Sequence, residues 1–342
     1  MANGVKALRK IGFGTESTSA PGTPVEASTW FRGTGTLRDD LVKVFIEEDI
    51  GNLGGTTFSH IPKTVGSITL EQDAMFEQIL YPLAAGVNGV VSGAADSSGS
   101  DKIYTYVHST TTQNDVQPFT IEAGDNAGAE IAPYAICTGF TLTGTGGESL
   151  KMASDWVTWG PTPGTFSDTA ELPTAVEVIA FSMGKLYIDV ADSGTVVGTT
   201  LISNTLLGMS LRDTTGIIPV WAADGSRNFS FVKAGAPEIV LDVTFEHNAA
   251  AVAQKVLWRA GTARQVRLIW TGTALTTPSS DHTTKKLIID LSGAWEKFSE
   301  LGEQDGNDIV TGTFRVRNND RAGVAGLFAQ YMVVTDALAA IP

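Results

Sequence analysis

Hydrophobic and polar residues alternate over short stretches in most of this chain. A period of two is typical of β-strands that bury one face. The alternation is clearest at residues 238–245 and 102–108. The same pattern, or a short apolar run, predicts further strands at residues 39–48, 119–122, 134–143, 149–153, 176–181, 185–189, 206–213, 228–232, 265–271, 285–291 and 311–317. The G-T-G-G run at 144–147 predicts a tight hairpin turn.

Residues 69–83 follow a helical pattern instead. Thr69 and Gln72 have capping-box spacing at the start, and Pro82 with Gly86 ends the segment. Apolar residues at steps of three and four predict one buried stripe, made of Met75, Phe76, Ile79, Leu80 and Leu83. The polar residues are predicted to take the other faces: Glu71, Gln72, Asp73 and Glu77.

A second helix is predicted at residues 248–260. His247 or Asn248 caps its start, and Gly261 occupies the position after its C-terminus. A lone amphipathic helix among strands needs a sheet to cover. The sequence therefore predicts a mainly β fold with one helix per domain.

The order of predicted elements is similar in the two halves, which suggests two tandem copies. In each half an apolar strand ends in L-[TS]-G, at residues 142–144 and 291–293. This tripeptide is also a common entry into a turn, so chance remains an alternative. The domains predicted on this basis are 38–160 and 176–342, the second with a C-terminal tail. The linker is the proline-rich stretch 161–175.

The first 37 residues are predicted to be an N-terminal arm. Residues 12–24 are rich in Gly, Thr, Ser and Pro and offer few large apolar side chains to bury. Such a segment is ordered by a partner or is simply a loose terminus. Residues 49–67 are predicted to form a long loop, and long loops are often functional.

Composition narrows the function classes. With 342 residues, 42% hydrophobic and 18% charged, the chain is expected to fold and has room for two domains. Its net charge of -14 argues against a tight, non-specific grip on nucleic acid, because that grip needs Lys and Arg on the phosphates. We find no signal-peptide pattern and no apolar run of about 20 residues, so we expect a soluble chain made in the cytoplasm.

No residue pattern predicts catalysis, a cofactor or a metal site. The lone cysteine, Cys137, lies in an apolar run, and no histidine pair has metal-ligand spacing. The histidines are His60, His108, His247 and His282. Residues 189–194 and 305–308 carry oxygen ligands but do not fit an EF-hand, and 144–149 lacks the lysine of a phosphate loop. We therefore predict that the chain is not an enzyme.

Several stretches resemble the major tail tube proteins of long, flexible-tailed bacteriophages. In the first half they are residues 11–25 (I-G-F-G-T-E-S-T-S-A-P-G-T-P-V), 67–86, 119–126 (F-T-I-E-A-G-D-N) and 136–152 (I-C-T-G-F-T-L-T-G-T-G-G-E-S-L-K-M). The runs K-L-Y-I-D and K-K-L-I-I-D-L-S-G-A-W of the second half are similar to that family as well. The resemblance spans most of the chain and includes no catalytic signature.

The resemblance implies a β-sandwich or β-barrel with one helix at its side. It implies a structural virion protein, located in the tail, whose rings stack into the tube that delivers the genome. Two tandem copies would imply a trimeric ring with pseudo-sixfold symmetry, whereas one copy with a decoration domain would imply a hexamer. The arm and the loop 49–67 would reach neighbouring rings.

The implied partners are further copies of the chain and other tail proteins, namely the tape measure, tail terminator and distal tail proteins. Double-stranded DNA would pass through the tube without tight binding. An acidic chain suits this role, because like charges repel phosphates.

Two other function classes stay open. One is a non-catalytic β-sandwich that decorates a capsid or binds carbohydrate. Its sugar-stacking faces would come from Trp156, Trp159, Trp221, Trp258, Trp270 and Trp295. The other is an enzyme such as a glycosidase, whose carboxylates would be sought among residues 47–49 and at Glu300 and Glu303. We expect these acids to be solvated loop charges instead.

Overall fold

A computed structural model describes residues 4–89, 91, 93–95, 101–191, 197–279, 281–318 and 327–336. This part of the chain is mainly β-strand, with helices α1 (Leu80–Gly86) and α2 (Ala249–Arg259) and short 3-10 turns at Lys6–Leu8 and Phe181–Met183. The strands are β1 (Lys10–Thr15), β2 (Thr29–Trp30), β3 (Thr34–Gly35), β4 (Arg38–Asp39), β5 (Val42–Ile46), β6 (Phe58–Lys63), β7 (Gly66–Asp73), β8 (Ala94–Ala95), β9 (Lys102–Val107), β10 (Phe119–Asp125), β11 (Gly128–Thr145), β12 (Lys151–Thr158), β13 (Thr162–Gly164), β14 (Gly184–Val190), β15 (Leu201–Ile202), β16 (Leu206–Thr214), β17 (Ile217–Val220), β18 (Phe231–Ala234), β19 (Glu238–Glu246), β20 (Arg264–Ala274), β21 (Thr284–Phe298), β22 (Gly302–Gln304), β23 (Asn307–Val316) and β24 (Ala329–Thr335).

A continuous antiparallel sheet, which we name the central sheet, crosses both halves of the chain. Its order is β3 and β4 side by side along β7, then β12, β11, β16, β19, β23, and finally β21 with β22. The joint between the halves is the pairing of β11 with β16. The two halves are therefore hydrogen-bonded to each other through backbone groups.

The long strands β11 and β21 each leave the central sheet midway. The first part of β11 pairs with β10, which pairs with β1. The first part of β21 pairs with β20 and β24, and these pair with β14 and β9. The change of partner in β21 falls at Gly293, where an added Cβ would overlap the backbone oxygen of Arg315. Glycine permits this close approach of two strands.

The pairing order of the first half recurs in the second. β7 pairs with β12 as β19 pairs with β23, and β10 pairs with β11 as β20 pairs with β21. α1 follows β7, and α2 follows β19. A β-bulge interrupts β11 between Cys137 and Gly139, and another interrupts β21 between Trp295 and Lys297. Both bulges lie just after the strand enters the central sheet.

Apolar faces of strands from different sheets pack together around α1. Phe13 of β1 stacks on Tyr81 of α1 with ring centroids 4.4 Å apart, and its centroid lies 5.5 Å from that of Trp156 in the central sheet. All three side chains are buried. The core therefore includes the N-terminal strand, and burying such aromatic rings is a large stabilising contribution.

That packing corrects the prediction of an N-terminal arm for residues 10–15. Ile11 and Phe13 are 6% and 1% exposed, and β1 pairs along its whole length with β10. Few large apolar residues occur in the first 37, but these two alternate correctly to line one face of a strand. The linker prediction at 161–175 also contains a short strand, β13, which pairs with β11.

The helix predicted at residues 69–83 is wrong over its first half. Residues 69–73 belong to β7, and helix α1 begins only at Leu80. Ile68 and Leu70 face inward while Thr69 and Glu71 face outward, which is the two-residue period of a strand. This strand runs directly into the apolar residues of helical spacing, so the sequence pattern did not separate the two elements. Gln72 and Glu77, predicted on solvent faces, are buried. Pairing with β12 outweighed the local signal.

The second predicted helix is confirmed at its start. Asn248 caps α2, and its side-chain oxygen accepts hydrogen bonds from the amides of Ala250 and Ala251. Gly261 follows with a φ of 63°.

The predicted strand at 176–181 is absent as a regular strand, and the predicted loop 49–67 contains β6. The predicted C-terminal tail contains strand β24, whereas residues 337–342 lie outside the described residues.

The L-[TS]-G parallel is also wrong. Gly293 lies where β21 enters the central sheet, whereas Gly144 lies near the opposite end of β11. The two tripeptides therefore do not occupy equivalent positions. The repeat of strand pairing described above stands without them.

Candidate functional site

The residues considered for chemistry are scattered, not gathered into one site. His108 is buried, with Nε2 2.8 Å from a carboxylate oxygen of Asp213, and His60 is exposed. Burial raises the pKa of the Cys137 thiol, which disfavours the thiolate needed for nucleophilic attack. Among the described residues, no group of three His, Cys, Asp or Glu is placed to hold a metal ion.

The first candidate calcium loop is used for a turn. The Asp189 carboxylate accepts hydrogen bonds from the amides of Gly198, Thr199 and Thr200 at 2.6, 3.1 and 2.8 Å. Burial opposes ionisation of Asp189, but the hydrogen bonds from Thr199, Gly198 and Thr200 outweigh it and lower its pKa. The other residues of this candidate, 192–194, lie outside the described residues.

The second candidate loop is a hairpin turn. Asp305 and Gly306 have φ angles of 53° and 80°, as the two central residues of a type I′ turn require. The turn joins β22 to β23. The paired carboxylates do not form a cleft either: Glu47 and Asp49 are exposed, and a hydrogen bond from the Thr57 hydroxyl to Glu48 lowers the pKa of Glu48.

The tryptophans do not form a common sugar-binding face. Trp156, Trp270 and Trp295 are buried in the core. Trp159 and Trp258 donate their indole N–H to the backbone oxygens of Phe229 and Glu296. Trp221 is the most exposed of these, and it packs against Phe229.

The outward face of the central sheet is a regular polar surface that crosses both halves of the chain. Its strands alternate buried and accessible residues, and opposite residues of neighbouring strands share a face. Hydroxyl side chains dominate it: Ser67, Thr69, Thr141, Thr143, Thr145, Ser210, Thr214, Thr244, Thr311 and Thr313. The acids on it are Glu71, Asp73, Asp155, Glu238, Asp242 and Glu246, and the bases are Arg38, Lys151, Arg212, Lys297 and Arg315.

The two ends of the central sheet are open edges. β3 and β4 pair with β7 on one side only, and the last strands, β21 beyond Gly293 together with β22, pair only with β23. No other described strand covers either edge. Unpaired edge groups favour pairing with another chain.

The joint inside the chain shows how such edges meet. Seven residues of β16, Gly208–Thr214, face Thr145–Gly139 of β11 in antiparallel register. Below the joint, buried Asp213 accepts a hydrogen bond from the Tyr331 hydroxyl at 2.6 Å. Burial, with the nearby Asp213 charge, raises the pKa of Tyr331 well above its ordinary value. The joint therefore carries both a backbone ladder and a buried polar contact.

A sequence repeat at these edges was missed by the pattern analysis. Residues 36–39 read T-L-R-D, and residues 210–213 read S-L-R-D. Arg38 faces Ser67 on β7, and Arg212 faces Val240 on β19, which are equivalent strands. The open edge β3–β4 thus carries the same motif as β16, which forms the internal joint. A search for repeated tripeptides would have found this signal.

Two exposed hairpins project from equivalent places, each ahead of the strand that precedes a helix. The β5–β6 hairpin is exposed on both faces, and Phe45, Phe58 and Leu53 are 65%, 56% and 108% exposed. In the β17–β18 hairpin, Ile218 is 57% exposed. Exposed apolar hairpins of this kind mark contact surfaces.

The helices of the described part of the chain are all too short or too polar to cross a lipid bilayer. Comparison of the sequence with models of known protein families and with curated proteins finds no match.

Proposed function

We propose that this chain is a structural subunit of a bacteriophage tail tube, which assembles from stacked rings of identical copies. The observation that carries the proposal is the pair of open edges on a sheet that already contains one joint of the required kind. The resemblance of residues 11–25, 67–86 and 136–152 to tail tube proteins supports the same function.

The chain is proposed to be two tandem copies of one β-sandwich domain. The repeated pairing order, the two β-bulges and the two L-R-D motifs support duplication. In that alignment β3–β4 corresponds to β16, and β21 with β22 corresponds to the second part of β11. The first half presents an unpaired equivalent of β16, and the second half presents an unpaired equivalent of β11.

Ring closure follows from that complementarity. The β21–β22 edge of one copy would pair with the β3–β4 edge of the next, as β11 pairs with β16 inside the chain. The resemblance to tail tube proteins implies rings of six units, and because each chain supplies two quasi-equivalent units, three chains would complete such a ring with pseudo-sixfold symmetry. We therefore favour a trimer over a hexamer.

The polar face of the central sheet is proposed to line the tube. Its threonine and serine side chains are short and its acids and bases nearly balance, so it offers no excess of cations to hold DNA phosphates. The exposed β5–β6 hairpin is proposed to contact the next ring, since its apolar side chains have no cover within the described chain.

Negative-stain electron microscopy of the purified protein, from dilute to concentrated, tests this function. We expect rings or tubes with threefold or pseudo-sixfold symmetry in end views. Monodisperse monomers at every concentration would contradict the proposal. If such monomers also retained glycans on an array, the alternative of a carbohydrate-binding module would be favoured.

A matched control separates assembly from folding. Asp39→Pro at the open edge removes a backbone N–H that points away from β7, because its neighbour Asp40 donates to Val65, and should abolish rings, whereas Arg259→Ala on exposed α2 should not. Circular dichroism of both variants should match the unmodified protein.

A further inference from the structure

The geometry points to a specific contact between copies: the acidic hairpin at residues 300–308 of one copy docks in a basic cleft beside the N-terminal 3-10 turn of a second copy. This inference rests on the proposed function, because it makes the partner another molecule of this chain. It adds a site and its chemistry to the strand pairing described above.

The basic cleft lies at the open β3–β4 edge and has a volume of about 750 Å³. Three cations line it, Lys6, Arg9 and Lys10, against a single carboxylate, Glu71, together with the apolar surfaces of Trp30 and Leu172. All three cations are exposed, and in the described part of the chain none has a carboxylate within salt-bridge distance. The cleft can therefore receive an acidic segment without first breaking an internal ion pair.

The acidic hairpin lies at the opposite open edge. Its four carboxylates are exposed and, like the cations, have no salt-bridge partner among the described residues: Glu300, Glu303, Asp305 and Asp308. Leu301, between the first two, is 54% exposed. The hairpin thus combines four negative charges with one apolar side chain, as the cleft combines three positive charges with apolar walls.

The equivalent hairpin of the first half already docks on the equivalent turn of the second half. The amide of Phe181, in the second 3-10 turn, donates to the backbone oxygen of Glu148 at 3.1 Å. Gly144 lies so close beneath the Phe181 ring that an added Cβ would overlap it. This contact accompanies the β11–β16 joint.

Strand register identifies the residues that take these places between copies. Lys6 begins its 3-10 turn five residues before buried Ile11, as Phe181 begins its turn five residues before buried Leu186. Lys6 is therefore the equivalent of Phe181.

On the hairpin, Gly302 faces Ile309 on β23 as Thr143 faces Lys151 on β12. The next residue, Glu303, is therefore the equivalent of Gly144. The internal joint packs the phenyl ring of Phe181 on Gly144. At the equivalent positions, the joint between copies places the ammonium group of Lys6 beside the carboxylate of Glu303.

The internal contact is apolar and the contact between copies is charged, because the two contacts form under different conditions. The internal contact forms once, during folding, and is buried. A contact between copies has to select the correct edge of a partner in solution, and complementary charge steers such association. Like charges at this site would repel, so reversal of one partner should block assembly and reversal of both should restore it.

Charge reversal tests the contact. Lys6→Glu, or Glu303→Lys, is expected to raise the protein concentration needed for ring formation at least about ten-fold. The combination of Lys6→Glu with Glu303→Lys should recover most of that loss. Lys102→Glu on β9, away from both edges, is the matched control and should assemble normally. Assembly of Lys6→Glu at the unmodified protein's concentration would overturn the inference while leaving the proposed function intact.

Cysteine pairing tests the contact without requiring tubes. Protein carrying Lys6→Cys is mixed with protein carrying Glu303→Cys, and oxidised dimers are counted on a non-reducing gel. The native Cys137 is buried and gives little background. We expect mixed dimers well above those from Lys102→Cys mixed with Glu303→Cys.

The outcomes separate the two proposals. Mixed dimers from a protein that never forms rings would support the contact and contradict the tube. Rings without mixed dimers would support the tube and contradict the contact. Failure of both measurements would overturn both.

Discussion

Lys285 is the residue that joins the two halves most directly through side chains. Its Nζ lies 2.6 Å from an oxygen of Glu77, and Asp336 and Glu177 lie 3.7 and 3.9 Å away. Lys285 and Glu77 are 6% and 1% exposed. Glu77 belongs to the turn before α1, whereas Lys285 belongs to β21, so this buried pair spans 208 residues of sequence. Breaking such a pair leaves an uncompensated buried charge.

Lys285→Met should therefore lower the free energy of unfolding by about 3–5 kcal/mol. Denaturant titration at neutral pH measures the loss. Adding Glu77→Gln should recover part of it, because the buried charge is then removed as well. Equal stabilities of Lys285→Met and the double variant would contradict this account.

The same pair predicts a dependence on alkaline pH. Burial lowers the pKa of Lys285, but its hydrogen bond to Glu77 and the nearby acids outweigh burial and raise the pKa above its ordinary value. A raised lysine pKa stabilises the fold fully below about pH 10.4 and loses this contribution as the pH rises through the folded-state pKa. The midpoint temperature of thermal unfolding should therefore fall less between pH 9 and 11 for Lys285→Met than for the unmodified protein.

At the scale of elements, β1 decides whether the N-terminal region is an arm or part of the core. Phe13 contacts Phe31, Tyr81, Phe119 and Trp156, and β1 pairs with β10 in full register. Removal of residues 1–37 is therefore expected to unfold the first half, not merely to prevent assembly.

Phe13→Ala should cost about 3–5 kcal/mol of stability, since it empties the centre of an aromatic cluster. Val5→Ala, at an exposed site nearby, is the control and should change stability little. Chemical denaturation of both variants measures the difference. A loss below about 1 kcal/mol for Phe13→Ala would indicate that β1 packs loosely.

The register between copies can be predicted from the bulges. Lys297 follows the bulge of β21 as Gly139 follows that of β11, so Ser299 is the equivalent of Thr141. Thr141 faces Arg212 inside the chain, and Arg38 is the equivalent of Arg212. Ser299 of one copy is therefore expected opposite Arg38 of the next.

Arg38→Cys combined with Ser299→Cys should form disulfides between neighbouring copies, because opposite residues of antiparallel strands have Cβ atoms about 4.5–5.5 Å apart. Non-reducing gels should show ladders of covalent oligomers ending at the ring size. Arg38→Cys with Glu303→Cys, four residues out of register, should react far less. Equal yields from both pairs would rule out this register.

For the whole molecule, the surfaces that remain unsatisfied lie at opposite ends or project outward. The central sheet ends in two open edges, and the β5–β6 hairpin exposes Val44, Phe45 and Phe58. A monomer with these features has edge and apolar surfaces available to other copies. The proposed self-assembly would cover all of them together.

Shortening the β5–β6 hairpin tests whether this hairpin stacks the rings while the sheet edges form them. Replacement of residues 44–60 by a two-residue Asn-Gly turn leaves β4 and β7 in place and should allow rings but not long tubes. Electron microscopy distinguishes the two products. Tubes of normal length from the shortened chain would assign stacking to other surfaces.

The sequence by itself determined the mainly β composition, the capped start of helix α2 and the hairpin between β11 and β12, because each depends on local spacing or on one turn or cap. The turn of that hairpin begins only at Gly146, since β11 continues through Thr145. It also held the repeated L-R-D motif. Tertiary structure alone decided that residues 69–73 form a strand, that Phe13 belongs to the core and that Glu77 is buried beside Lys285. Those outcomes depend on partners 78 or more residues away, such as β12, β10 and β21. No local pattern encodes the register in which such distant strands meet.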